Sequence, residues 1–371
     1  MSHRPERPAA THQAQDPAVA PVRRPGFDVL RGLAIALVLL RHTWAQTFPG
    51  AGIVGVVVFF TLSGYLITGV LDREFRRTSQ ISFLRFYVHR VLRLYPALLL
   101  MLIVFTVVES VINVLGDRAI VPQTVGAAMF YLRDFPLPFN TSPAINTLWT
   151  LAVEEQFYLV WPALFLLAMR RKAINTLLIS MFVALIILCT VSALIFARDP
   201  ANIYILPTTW SSTIVMGAAA YVHRDKLQRL VQRSRVTRVV GLIVAIAVLL
   251  GLSIFPSAKN TLWFYLVGGP LIAVLTVTLI SISGRWLILP TRFLEPVRLL
   301  GIVSYAVYAW NAIVLDWFRA LGGFPHWVEI PSTILIAILS WVTVEAWGRR
   351  ARKQFDAHAR SRAASLQVER Q

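Results

Sequence analysis

At 371 residues, 57% hydrophobic and only 15% charged, with mean hydropathy +0.64, the chain is too apolar for a soluble domain of its size. Its apolar residues come in repeated blocks long enough to cross a ~30 Å hydrocarbon core, the mark of an all-α multi-pass membrane protein in a lipid bilayer. The net charge of +18 gathers in short loops and at both ends, as cytoplasmic segments require, so it implies no nucleic-acid partner.

Residues 1–26 are rich in Pro, Ala, Arg and Gln without periodicity and read as a disordered cytoplasmic tail. The apolar core from Leu33 to Leu40 leads into Arg41-His42-Thr43-Trp44 rather than a small-residue cleavage site, so it reads as a retained first helix. A membrane-embedded domain, 27–348, follows, with ten spans at 28–47, 51–71, 94–115, 146–169, 173–197, 204–222, 239–256, 262–283, 299–320 and 330–348. A basic cytoplasmic tail, 349–371, closes the chain. Lys and Arg concentrate in the N-terminal tail, the 72–93 loop, Arg170-Arg171-Lys172, the 223–238 loop, Arg285, Arg292, Arg298 and the final tail. The opposite loops hold scattered cations such as Arg118, Arg133, Arg198 and Lys259, which places both termini in the cytoplasm. Within 116–145 the stretch VPQTVGAAMFYL reads as a re-entrant or interfacial helix, because a full span there would invert the charge pattern. No inverted repeat of the transporter kind is evident.

The first span, FDVLRGLAIALVLLRHTW, carries Arg31 and His42 inside an apolar run. Eleven residues at about 100° each return the second side chain to within roughly 20° of the first, about 16 Å further along one helix face. Ionisable groups at membrane depth cost roughly 2.5–3.5 kcal/mol even on lenient scales, so they mark a bundle interior or a wet cavity. Arg41 lies on a different face, placed to snorkel outward or to pair with Glu154 or Glu155. In the second span, GVVVFFTLSGYLITG sets Ser63-Gly64-Tyr65 where small residues serve close packing or a kink opens a cavity.

The stretch SFLRFYVHRVLRLYP, 82–96, reads as a cytoplasmic loop interleaving aromatics with Arg85, His89, Arg90 and Arg93. Arg90 and Arg93 are helical neighbours, able to hold one phosphate, although an ordinary basic loop on anionic headgroups has the same spacing. In NTLWTLAVEEQFYLVWP, Glu154, Tyr158 and Trp161 share a face, and two adjacent acids point about 100° apart, so only one of Glu154 and Glu155 faces a given cavity. Counting rises along the spans puts His42 roughly 9 Å and Glu154 about 12 Å from the outer face, with Asn311 near that level. A base, an acid and an amide then share one depth, although such groups also pair with one another for purely structural reasons. The single cysteine, Cys189, sits in an apolar run; it excludes an internal disulfide or a Cys-based metal site and reads as a buried small hydrophobe.

In order along the chain, RGLAIALVLLRH, GVVVFFTLSGYLIT, FYVHRVLRLYP and NTLWTLAVEEQFYLVWP resemble the signature segments of the acyltransferase-3 family of bacterial integral-membrane O-acyltransferases. The resemblance covers most of the chain. It departs at Asn311, where the family commonly has histidine, and at Thr150, where serine is common. With a short Arg-rich tail after the last span, the chain is expected to resemble the family's stand-alone members rather than those carrying an esterase-like domain.

The resemblance implies a bacterial cytoplasmic-membrane enzyme with no tightly bound cofactor. It implies acyl-CoA, most often acetyl-CoA, as co-substrate and the hydroxyl of a sugar, cell-surface glycan or secondary metabolite as acceptor. On this reading Arg31, Arg90 and Arg93 hold the donor's phosphates, and His42 is the general base or forms an acyl-histidine. Glu154 orients its imidazole, while Ser63, Tyr65, Tyr158 and Asn311 contact substrate. A proton-coupled transporter or flippase with Glu154 and His42 as relay is the alternative. Lipid-facing and partner-facing stripes look alike, so the sequence carries no signal of oligomeric state.

Overall fold

The computed structural model describes residues 24–368 except 136–137, 197–199, 256–260 and 262. Most of the N-terminal tail, with Arg198 and Lys259 of the opposite loops, lies outside the described residues. The described residues form helices and no strand. They are α1 Pro25–Thr43, α2 Ala51–Thr78, α3 Phe83–Val111, α4 Val121–Met129, α5 Trp149–Arg170, α6 Ile174–Ile195, α7 Pro200–Ile205 and α8 Pro207–Val222. There follow α9 Arg224–Val231, α10 Arg235–Ser253, α11 Gly269–Ser283, α12 Glu295–Ile302, α13 Ser304–Ala320, α14 His326–Ser340 and α15 Ala346–Val368.

All ten stretches read as spans carry helix, but among the described residues seven helices are long and apolar enough to cross a membrane. An eighth arises if α12 and α13, bent by 68° at Val303, count as one span. The remaining two are α1, with Asp28, Arg31 and Arg41 in its nineteen residues, and α8, which has only sixteen.

The core is built on α2, which packs against α1, α5, α8, α10 and α11. Close approach sets the crossing with α8. A Cβ on Gly64 would lie 1.9 Å from the Ile214 carbonyl oxygen, and one on Gly217 1.9 Å from that of Thr61. The small residue in Ser63-Gly64-Tyr65 thus serves helix packing. The periphery is apolar outward: α6 buries only Leu178, Cys189 and Ala193 and exposes Ile179, Ile187, Leu194 and Ile195. Such a face is stable against hydrocarbon and would not be against water.

Two local readings change. The 82–96 segment is not a loop: α3 begins at Phe83, so Arg85, His89, Arg90 and Arg93 lie on helix at three- and four-residue spacing. Within 116–145 the VPQTVGAAMFYL stretch does carry a short helix, the nine-residue α4, entered through a 3₁₀ turn at Arg118–Ile120. The basic tail continues the last span as α15 and returns to α3, where Asp356 accepts from Arg85 at 2.9 Å and pairs with His89 at 3.0 Å.

Candidate functional site

Two cavities lie one beyond the other along α1. The first, about 110 Å³, is lined by Arg31 of α1, Ser63 of α2, Arg90 and Arg93 of α3, Glu154 and Tyr158 of α5 and Tyr305 of α13. The Ser63 and Tyr158 hydroxyls share a short hydrogen bond, and Tyr158 donates to Glu154 Oε2 at 3.5 Å. The Arg90 guanidinium sits 3.8 Å over the Tyr158 ring, a cation–π contact that holds it beside Glu154. Arg93 is exposed. Arg31 pairs with Asp28 at 3.3 Å. Below this cluster, Trp161 donates to Thr68 Oγ1 at 3.1 Å and locks α5 to α2.

The second cavity, about 700 Å³, is lined by His42 and Arg41 at the end of α1, by Arg133 and Asn146 from the 130–148 connection, and by Trp149 and Tyr204. Val56 and Tyr308 line both cavities and form the wall between them. Tyr308 is fixed there: its hydroxyl accepts from Thr150 Oγ1 at 2.7 Å and donates to the Thr147 carbonyl at 2.9 Å. One turn further along α13, Asn311 is 1% exposed and its amide meets His42 Nδ1 in a short hydrogen bond. Arg319 donates to the His42 carbonyl at 2.7 Å, tying the last turn of α1 to α13.

The Asn311 orientation bears on chemistry. Nδ2 faces the imidazole, and Oδ1 is buried with no hydrogen-bond partner, so turning the amide over gives that oxygen a donor. With the ends exchanged, Oδ1 accepts from Nδ1–H and the basic lone pair falls on Nε2, the arrangement a general base requires.

The structure brings Arg31, Arg90, Arg93, Ser63, Glu154 and Tyr158 together, and separately joins His42 to Asn311. It does not bring Glu154 to His42. The sequence predicts a first span running to 47, whereas α1 stops at Thr43, capped by the Trp44 N–H on the Leu40 carbonyl. His42 therefore sits in the last turn, while Glu154 lies about 10 Å beyond Thr147, itself in the second cavity's wall. Arg41 pairs with neither Glu154 nor Glu155 and faces the second cavity. Tyr65 lines neither; its ring lies between Phe27 and Tyr221, with centroids at 5.8 and 5.3 Å. Sequence reasoning passed over Tyr308 and Arg133. The signal for Tyr308 was present, since it precedes Asn311 by three residues on one helix face.

A family model described as an acyltransferase domain matches residues 24–345. The chain is 28% identical over 348 residues to the O-acetyltransferase OatA of Staphylococcus aureus (strain NCTC 8325 / PS 47), covering 86% of this chain and 55% of that protein. It is 31% identical over 359 residues to the peptidoglycan O-acetyltransferase OatA of Listeria monocytogenes, covering 86% and 55%. It is 30% identical over 358 residues to the putative peptidoglycan O-acetyltransferase YrhL of Bacillus subtilis, covering 86% and 54%. The chain spans about half the length of the curated relatives it matches. No solved structure matches it.

Proposed function

Because the chain belongs to the acyltransferase-3 family, we propose that it moves an acyl group, in the first instance acetyl, from acyl-CoA to a glycan hydroxyl across a bacterial cytoplasmic membrane. The observation that carries this reading is the stacking of a cationic cavity and a histidine cavity against one shared wall. All ten helical stretches are spans in this reading, and both termini face the cytoplasm, so the Arg90 cavity opens to the cytoplasm and the His42 cavity to the outside.

The donor's phosphates rest on Arg93 and Arg31 at the rim, with Arg90 behind them, where guanidinium forks suit phosphate oxygens. The narrow thiol arm fills the first cavity and passes between Val56 and Tyr308. In the second cavity His42 Nε2 takes the proton of the acceptor hydroxyl as its oxygen attacks the thioester carbonyl. The C–S bond then breaks, the acyl C–O bond remains, and the imidazolium returns the proton to the departing thiolate. Asn311 holds the imidazole; Glu154 serves the donor cavity, buffering Arg90 through Tyr158.

The test uses the full chain in lipid nanodiscs with radiolabelled acetyl-CoA and a panel of saccharide acceptors. Wild type is expected to transfer label, and His42→Ala to lower the rate by about 10²–10⁴-fold, the usual share of a general base. Unchanged transfer in His42→Ala removes the base assignment. Failure of the wild type to bind or consume acetyl-CoA or longer acyl-CoAs overturns the transferase reading.

A further inference from the structure

Among its described lining residues the second cavity presents cations and no anion. Among the described residues lining it are two guanidiniums, Arg41 and Arg133, and one imidazole, His42; none is Asp or Glu. A charge held in a low-dielectric wall is costly unless it is paired. Elsewhere in this molecule that pairing is present: Asp28 faces Arg31 at 3.3 Å, Asp72 faces Arg76 at 2.9 Å and Asp316 faces Arg319 at 3.3 Å. Arg41 makes no ion pair among the described residues, and its Nε is buried without a hydrogen-bond partner.

The position of Arg41 is built. Its stem lies on the α2 backbone at Gly52, where an added Cβ would stand 2.9 Å from Cγ. The head group is thereby directed over the cavity floor rather than left to swing. Arg133 is held from the facing side, donating from Nε to Asn146 Oδ1 at 3.0 Å and from Nη2 to the same oxygen. Two of its five N–H donors are thus used, and three remain for a ligand. Neighbouring Asp134 does not neutralise this wall; its carboxylate is buried on the side of Gln156. The Trp149 and Tyr204 rings, edge to face at 5.0 Å, supply the apolar wall that ligand pockets set against a few polar groups.

Resting on the transferase reading, we propose that the acceptor is an acidic saccharide, whose carboxylate or phosphate is gripped by Arg41 and Arg133 while a ring packs on the Trp149–Tyr204 wall. The anion completes the ion pairs that the protein leaves open, and it places a sugar hydroxyl beside His42, the residue next to Arg41. Guanidinium is suited to this because it meets carboxylate or phosphate through two parallel hydrogen bonds.

The experiment offers the full chain in phosphatidylcholine nanodiscs, with acetyl-CoA, three matched acceptor pairs. These are an N-acetylmuramic-acid oligosaccharide and its methyl ester, a glucuronic-acid oligosaccharide and its methyl ester, and a sugar phosphate with its dephosphorylated parent. At least one acid is expected to exceed its neutral partner tenfold or more in kcat/KM, and the preferred pair separates carboxylate from phosphate recognition. Arg41→Gln and Arg133→Gln should each bring that ratio toward one, and Arg41→Lys should keep part of it. Binding of acetyl-CoA by each variant checks that it has folded. Neutral sugars acylated as well as acidic ones, or a ratio that survives the Arg41→Gln, Arg133→Gln double variant, overturn the proposal and leave the transferase standing. No consumption of acetyl-CoA with any acceptor strikes the transferase reading instead.

Discussion

The two cavities share a wall and a helix, yet they balance charge in opposite ways. Around Arg90 the protein supplies its own counter-groups: Glu154 through Tyr158, and Asp28 against Arg31. Around the second cavity the described lining residues supply two guanidiniums and the Asn311-bound imidazole, and none of them is a carboxylate. A cavity that is internally paired can fill and empty many times without a large change in electrostatic energy. One that is left cationic is completed by what enters it, which places selectivity on the acceptor side.

The largest effect that would sharpen this contrast is on the donor side. Arg93 is the exposed cation of the first cavity, whereas Arg90 also stacks on Tyr158 and cannot be removed without disturbing Glu154. Arg93→Gln is expected to raise KM for acyl-CoA by about tenfold, since a charge-assisted hydrogen bond contributes roughly 1.5–3 kcal/mol and exposure reduces it. KM for the acceptor should not move. Steady-state kinetics with each substrate varied in turn reads both, and equal rises in the two constants would erase the division into separate cavities.

The same contrast shows how much could be read from the chain. Helical period alone placed Arg31 and His42 on one face, and both do line cavities along α1; it also paired Arg90 with Arg93 correctly. Counting depth put Asn311 near the level of His42, and the two side chains meet. Its failure with Glu154 was one of length, because a helix end misjudged by four residues shifts depth by about 6 Å, enough to move a side chain from one cavity to the next. Tyr65 was a failure of direction. It stands two residues from Ser63, about 160° round the helix, so the two never face one cavity. Arg133 lies on an irregular connection, where no periodicity tells which way a side chain points.

A smaller effect separates the partner of His42 from the distant Glu154. Asn311→Asp would set a carboxylate against Nδ1 and favour the imidazolium, raising the pH at which the base becomes neutral by about one unit. The acid limb of the kcat/KM profile should therefore move to higher pH, with the plateau nearly kept, while Glu154→Gln leaves that limb in place. A limb that moves with Glu154 and not with Asn311 would restore the pairing suggested by depth counting.

The smallest effect on the reaction is expected at Asp134, and it bears on whether the acceptor cavity is cationic at all. Asp134 follows Arg133 directly and is buried, and burial raises its carboxyl to about 6 despite the Gln156 side chain favouring the charged form. The unfolded chain ionises near the ordinary ~3.9, so the folded protein holds the extra proton between these values. Stability then falls as pH rises from about 4 to 6, by on the order of 2–3 kcal/mol, and is level above that. Asp134→Asn removes this fall and should melt higher than wild type at pH 7.5 while matching it more closely at pH 4.5, as thermal unfolding in nanodiscs would record. Acceptor KM should stay within about twofold, because a carboxylate turned toward Gln156 screens Arg133 little. A tenfold change in acceptor KM would mean that Asp134 compensates the cavity after all, and the contrast between the two cavities would close.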